Sequence, residues 1–167
     1  MTSIDNNALQ TLMDRANIHD LLNRYYQGID RGSLAQVESC FTEDVRCWYD
    51  GRPATVGRPA LMDSFLAFRK QKTGEWKITT HFMGNLNFNR LEADSAEVET
   101  NAIAFLVQPQ TTDTFVNMRS LRYVDQLVKT SSGWLIQKRV HTLDWSCQVP
   151  ATFAKTTAER IVSIPAG

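Results

Sequence analysis

Familiar catalytic and nucleotide-binding signatures are missing from this chain of 167 residues. The sequence contains no GxGxxG, no GxxxxGK followed by Ser or Thr, no HExxH and no GxSxG. Each pattern places backbone amides, a metal or a nucleophile where a particular reaction needs them. The chain therefore carries no sign of a dinucleotide site, a phosphate-binding loop, a zinc-protease helix or a serine-hydrolase elbow.

Residues that bind metals or form disulfides are few. The three cysteines, Cys40, Cys47 and Cys147, are odd in number and form no CxxC pair, which favours reduced thiols over a disulfide framework or zinc knuckle. The three histidines are scattered, so a metal site would have to recruit distant carboxylates. We predict neither a metal nor another cofactor.

The chain also lacks an excess of charge of either sign. Eighteen basic side chains balance eighteen acidic ones, and no basic cluster suggests nucleic acid or an anionic membrane as a partner. The first ten residues contain no basic stretch followed by an apolar one, and the longest apolar run, residues 102–107, is too short to span a bilayer. We expect a cytoplasmic protein.

What remains is ordinary globular composition, with 43% hydrophobic and 22% charged residues. This length suits one domain, which we place at residues 1–167. Apolar residues at helical spacing predict a long amphipathic helix over residues 5–29 that ends near Gly28. Ser33 and Gln36 have the spacing of a capping box for a short second helix, and Pro59 suits the first turn of a third.

The second half of the chain has the composition of strands. Segments near 76–90, 96–108, 114–129 and 133–145 are rich in β-branched and aromatic residues and are separated by turn-forming stretches. Helices followed by a meander of strands predict an α+β domain whose helices cover one face of a curved sheet. The tail, residues 150–167, is predicted as a short helix or as an arm on a neighbouring subunit.

Two residues are candidates for chemistry. Asp30 falls at the end of the first helix, where the helix dipole disfavours a carboxylate. It is either an exposed turn residue or part of a site. His81 alternates with Thr79 and Met83 on the more polar face of its strand, which is either solvated or lines a cavity.

The last strand carries an unusual mixture of residues on one face. Strict alternation groups Arg139, His141 and Trp145 with Leu135 and Leu143. An arginine and a histidine among apolar side chains are typical of a partly polar pocket. Taken singly, each histidine is more often structural than catalytic, and His19 fits a surface position.

The pattern as a whole resembles the SnoaL-like branch of the NTF2-like superfamily. The resemblance rests on RYYQGIDRGSLAQVESCFTEDV, the aromatic strand CWYDG, the strand TTHFMGN and the closing RYVDQLVKTSSGWLIQKR, and it covers nearly the whole chain. It implies a cone-shaped barrel: a curved, mostly antiparallel sheet around a deep pocket that the N-terminal helices close.

Within that branch the chain looks most like cofactor-independent lyases, which include scytalone dehydratases, bile-acid 7α-dehydratases and hexachlorocyclohexane dehydrochlorinases. Their Asp–His pair corresponds to Asp30 and His81. The steroid-dehydratase pattern adds two tyrosines and an arginine at the positions of Tyr25, Tyr49 and Arg139. The resemblance implies that His81 removes a proton from carbon, that the tyrosines donate hydrogen bonds, and that Arg139 stabilises charge at the pocket mouth.

There are departures from those lyases. The second pocket histidine of scytalone dehydratases has no counterpart in NAIAFLVQ, and the dehydrochlorinases have a lysine where Tyr25 stands. Isomerisation or ring closure by the same first step is the nearest alternative. A non-catalytic binding module and a small subunit of a ring-hydroxylating oxygenase also remain open, because one fold carries many functions.

The predicted ligand is a small, largely apolar molecule of polycyclic, aromatic or steroid-like shape. We also expect a homo-oligomer, with a trimer favoured over a dimer, because the outer sheet face would otherwise expose apolar residues. The side chains predicted to line the pocket are Tyr26, Trp48, Phe65, Met83, Phe105 and Trp145.

Overall fold

The computed structural model, which describes residues 5–72, 78–107 and 115–150, has the α+β architecture predicted from the sequence. None of the helices described there is long and apolar enough to cross a membrane. The predicted tail helix, residues 154–162, lies outside the described residues. The elements are α1 (Asn6–Arg31), α2 (Leu34–Glu38), β1 (Phe41–Tyr49), β2 (Thr55–Val56), α3 (Arg58–Lys72), β3 (Ile78–Leu91), β4 (Ser95–Val107), β5 (Phe115–Thr130) and β6 (Gly133–Pro150).

Helix α1 continues past the glycine at which the sequence predicted its end. It stops at Arg31, because Gly32 takes the left-handed conformation (φ 68°) and the Ser33 amide donates to the Gly28 carbonyl, which satisfies the last turn. Gly28 instead permits close packing, since a Cβ there would lie 2.8 Å from a methyl group of Val37. This ending keeps Asp30 inside the last helical turn.

The short second helix begins as predicted but uses half of a capping box. The Ser33 hydroxyl accepts a hydrogen bond from the Gln36 amide at 3.3 Å. The Gln36 side chain does not return to Ser33; it donates to the carbonyl of Arg24 at 3.0 Å instead. The second helix is thereby tied to α1 rather than only to its own first turn.

The six strands form one curved sheet in the order β2–β1–β6–β5–β4–β3. All neighbours are antiparallel except β1 and β6, which are parallel. The sheet is not closed: β2 and β3 are its two edges. Helix α1 packs on β3 and β6, and α3 packs on β1, so the helices cover the inner face.

Irregularities in the register change which residues face inward. In β3 the pairing shifts between Met83 and Leu86, so that the inward set passes from odd to even positions. A second register shift lies in β6, because Leu127 of β5 pairs with Ile136 whereas Gln126 pairs with Lys138. The inward-facing residues of β6 therefore change from even to odd positions. The buried residues there are Trp134 and Ile136 before the shift and Arg139 and His141 after it.

Candidate active site

Asp30 and His81 are joined by two hydrogen bonds. The Nδ1 atom of His81 lies 2.6 Å from Oδ1 of Asp30. The backbone N–H of His81 donates to Oδ2 of the same carboxylate at 2.8 Å. Only 9% of the His81 side chain and 14% of the Asp30 side chain are exposed. Because both carboxylate oxygens engage one residue, the imidazole is fixed in position and in orientation.

The carboxylate also selects the tautomer of His81. An ionised carboxylate only accepts hydrogen bonds, so Nδ1 carries the proton in the neutral ring and Nε2 keeps its lone pair. Nε2 forms no hydrogen bond with any residue in the described ranges. This arrangement can accept a proton at Nε2 while the carboxylate stabilises the positive charge that results.

Aromatic rings continue the site from His81 into the interior. The His81 ring stacks on Tyr26, with centroids 5.7 Å apart and planes inclined by 30°. Tyr26 packs edge-to-face against Tyr123, and Tyr123 packs against the ring of His141 at 4.9 Å. One run of contacting rings therefore links the two buried histidines.

Arg139 lies beneath these rings and is fully buried. Its guanidinium makes two hydrogen bonds of 2.7 Å to the carboxylate of Asp125, its cross-strand neighbour on β5. It also lies 4.0 Å from the centroid of Tyr25 and 4.7 Å from that of Tyr123. Arg139 is therefore not exposed at a pocket mouth, where the sequence placed it; its guanidinium lies against the tyrosine rings.

Tyr49 occupies the other side of the interior. Its ring contacts Phe65 at 6.2 Å and His141 at 5.2 Å. The hydroxyl groups of Tyr26 and Tyr49 are buried and have no hydrogen-bonding partner among the described residues. Buried hydroxyls are normally paired, so these two mark places where a bound molecule could supply the missing partner.

The phenols of the interior are protonated at neutral pH. Burial raises the pKa of Tyr25 above its ordinary value, although the positive charge of Arg139 opposes the shift. Burial raises the pKa of Tyr26 and Tyr49 in the same way. All three are therefore hydrogen-bond donors rather than bases.

Met83 and Phe65, which were also predicted to line the pocket, pack against the core. The other three residues predicted to line the pocket do not join it. Phe105 alternates with inward-facing Ala104 and contacts the exposed ring of Phe82 on the outer face. Trp48 pairs with the exposed Val140, and Trp145, which lies beyond a second register shift, is 49% exposed. These positions correct the expectation that all six aromatic and methionine side chains line the interior.

Asp125 and Tyr123 belong to the site but were not singled out in the sequence. A signal was present, because Leu121, Tyr123, Asp125 and Leu127 alternate along β5, and a carboxylate on a largely apolar face requires a partner. The partner, Arg139, lies directly across the strand pair. Within the described ranges, no three His, Cys, Asp or Glu side chains cluster as they would around a metal ion.

Comparison with known proteins supports the same fold. A model of the SnoaL-like domain matches residues 10–140. An uncharacterized protein of Mycobacterium tuberculosis is 28% identical over 134 residues, which cover 78% of this chain and 86% of that protein.

Two solved structures have similar folds at low sequence identity. A hexachlorocyclohexane dehydrochlorinase has a TM-score of 0.75 at 15% identity and covers 91% of this chain and 99% of its own. A candidate scytalone dehydratase of Novosphingobium aromaticivorans has a TM-score of 0.73 at 16% identity, with coverage of 95% and 99%. At these identities the likeness concerns the fold.

Proposed function

The chain belongs to the SnoaL-like domain family, within the NTF2-like superfamily, and from that premise we propose that it is a cofactor-independent dehydratase with His81 as the base. The observation that carries this proposal is the Asp30–His81 contact of 2.6 Å, in which both carboxylate oxygens engage one histidine. The dehydratase and dehydrochlorinase names among the structural neighbours agree with a lyase but do not identify the substrate.

In the proposed reaction, Nε2 of His81 takes a proton from a carbon atom of the substrate. The electron pair of that C–H bond forms a carbon–carbon double bond, and the neighbouring C–O bond breaks. The departing hydroxide takes up the proton that Nε2 of His81 removed and leaves as water, so His81 returns to its neutral form and atoms and charge balance. General base catalysis of this kind contributes about 10²–10⁴-fold, and the remaining acceleration must come from positioning and charge stabilisation.

The buried phenols are suited to that second task. Tyr26 and Tyr49 have hydroxyls without a partner among the described residues, and Tyr25 lies over the guanidinium of Arg139. A donor aimed at an oxygen that gains negative charge stabilises the transition state more than the ground state. We assign Tyr25 to this role, with Arg139 supplying positive potential from below. The sequence also suggested Tyr49, but its ring contacts His141, and we assign it to substrate binding.

The proposed substrate is a small, largely apolar molecule of polycyclic, aromatic or steroid-like shape. The interior offers rings for such a molecule to pack on, since Tyr26, Tyr49, Tyr123 and Phe65 contact one another or the two buried histidines. Isomerisation by the same first step is the second candidate, because a base that is held this firmly can also return its proton to another carbon.

The test is the His81→Ala variant, assayed on the substrate that product analysis identifies. We expect turnover to fall by about 10²–10⁴-fold while ligand affinity changes little, because the base acts mainly in the transition state. His19→Gln is the matched control, since His19 is exposed and its contacts with Asn23 and Asp20 lie on its own helix. Near-normal turnover in His81→Ala would sink the proposal and favour a binding module.

We also propose that the protein is a cytoplasmic homo-oligomer, with a trimer favoured. Several large apolar side chains on the strands are exposed, among them Phe82 at 66% and Val140 at 44%. Apolar surface of this kind is often covered by another subunit. Sedimentation equilibrium should give a mass well above the 19.0 kDa of one chain; a monomer at micromolar concentration contradicts this proposal.

A further inference from the structure

A second histidine–carboxylate contact lies at the opposite end of the run of rings. We propose that His141 contacts the substrate directly, as the acceptor for a substrate hydroxyl group, and that Asp50 is its positioning residue. The inference rests on the proposed function in one respect: it takes the substrate to occupy the interior that His81 also faces.

Asp50 is held in place by the backbone of His141 and Leu143. The amide of Asp50 donates to the His141 carbonyl at 3.0 Å. The Oδ1 atom of Asp50 accepts a hydrogen bond from the amide of Leu143 at 2.8 Å. The same oxygen lies 3.2 Å from Nδ1 of His141, at an angle that makes this contact electrostatic rather than a hydrogen bond.

The turn that follows β1 makes this placement possible. Asp50 and Gly51 both have positive φ angles, 52° and 72°, and the Arg52 amide donates to the Tyr49 carbonyl at 3.1 Å. Asp-Gly is the sequence preferred in a tight turn with two positive φ angles. The turn therefore fixes the backbone of Asp50 at the end of β1, next to the strand that carries His141.

His141 resembles His81 in its surroundings. Only 7% of His141 is exposed, and its ring packs against Tyr123 and Tyr49. Tyr123 in turn contacts Tyr26, on which His81 stacks. A planar molecule that packs along these tyrosines would meet one imidazole at each end.

Burial favours the neutral form of the His141 ring. Burial lowers the pKa of His141; Asp50 opposes the shift, while Arg139 and Arg119 support it. The negative charge of Asp50, 3.2 Å from Nδ1, favours the tautomer that carries its proton on Nδ1, and Nε2 is then an acceptor. The unpartnered hydroxyl of Tyr49 lies on the neighbouring ring and can donate. An acceptor beside a donor suits a hydroxyl, which gives and accepts one hydrogen bond.

This pairing defines the substrate class more closely. The molecule would carry the reacting C–O bond near His81 and a separate, free hydroxyl group near His141. A hydrocarbon or halocarbon of the same shape would leave the acceptor of His141 and the hydroxyl of Tyr49 unpaired, which lowers its affinity.

Nuclear magnetic resonance of the protein with isotope-labelled histidine tests this inference directly. The probes are naphthol, with one hydroxyl, and a dihydroxynaphthalene with hydroxyls at opposite ends. We expect the diol to shift the imidazole signals of both His81 and His141 and to bind about three- to tenfold more tightly than naphthol. The signals of His19, which is on the surface, should stay unchanged and report an intact fold.

Two variants distinguish a direct contact between His141 and the ligand from a purely structural role of His141. His141→Phe should remove the diol's advantage and leave naphthol affinity unchanged. Asp50→Asn should lower the pKa of His141 further, because the carboxylate favours the charged ring, and should weaken the diol more than naphthol. Absence of any shift at His141 with the diol, whatever His81 does, overturns the inference. If the diol shifts the imidazole signals of His141 but not those of His81, the result counts against the dehydratase proposal instead.

Discussion

Two buried aspartates on helix α1 show how similar carboxylates take different roles. Asp14, in the first half of the helix, accepts hydrogen bonds from Trp134 Nε1 at 2.9 Å and from Lys129 Nζ at 3.0 Å. Asp30, in the last turn, is bound to the side chain and backbone of His81. The first carboxylate joins the helix to the β5–β6 hairpin, and the second joins it to β3.

The difference lies in what the partner can do. The ammonium group of Lys129 and the indole N–H of Trp134 act only as hydrogen-bond donors, so the contact at Asp14 stabilises the fold and carries no proton transfer. An imidazole, unlike an ammonium or an indole, can act as a proton acceptor, and a neighbouring carboxylate stabilises the charge that results. A buried carboxylate therefore marks a candidate catalytic site only where its partner is itself a base.

Of the variants at these two aspartates, Asp30→Asn is expected to have the largest effect, and that effect is on turnover. The amide keeps the shape but loses the charge that fixes the tautomer and stabilises the imidazolium, so turnover should fall by about 10⁴-fold. The free energy of unfolding should change by about 1 kcal/mol or less, because the side chain stays partly paired. Steady-state kinetics together with thermal unfolding measure both. A variant that loses stability and keeps its turnover would assign Asp30 to structure alone.

Asp14→Asn should produce the opposite pattern. Removing the charge leaves Lys129 and the indole of Trp134 with a weaker acceptor, and we expect a loss of about 2–4 kcal/mol in unfolding free energy. Turnover per folded molecule should match the wild type. Urea unfolding gives the first quantity, and kinetics at low temperature give the second. A large loss of turnover in fully folded Asp14→Asn would erase the distinction between the two carboxylates.

The smallest expected effect is on the acid side of the stability profile. Burial alone would raise the pKa of Asp14, but hydrogen bonds from Lys129, Trp134 and Gln10 outweigh it and hold the pKa below the ordinary 3.8. A lowered folded-state pKa gives stability that is present above the ordinary value and is lost as the pH falls through the folded one. Asp14→Asn should therefore flatten the decline below about pH 4. If the decline in stability at acid pH is the same in Asp14→Asn as in the wild type, other carboxylates control that decline.

Much of the fold could be predicted from the sequence because its signals are local. Helical periodicity located α1, and turn residues separated the four long strands to within a few positions. Gly28 misled the prediction of where α1 ends, because a glycine inside a helix that packs against Val37 looks the same in sequence as a terminating one. The sequence does not show that Val37 lies next to Gly28 in space.

The candidate site was predictable only in part, and register explains the rest. The resemblance to a family pointed to Asp30 and His81, and the structure places them in contact; their catalytic role is a prediction. Strict alternation along β6 failed, because a register shift puts Ile136 and Arg139 on the same side. A shift of this kind moves every following side chain to the other face, and nothing in the local sequence announces it.

The parallel pairing of β1 with β6 has a consequence for the order of events during synthesis. Asp50 and Leu143, which are joined by a hydrogen bond, are 93 positions apart in the chain. Asp50, in the turn after β1, cannot gain this neighbour until nearly the whole described chain has been made. Contacts between distant segments form slowly, because a long loop must close first. A nascent chain could thus join Asp30 to His81 well before Arg139 and His141 arrive, so its base would be assembled before its binding surface.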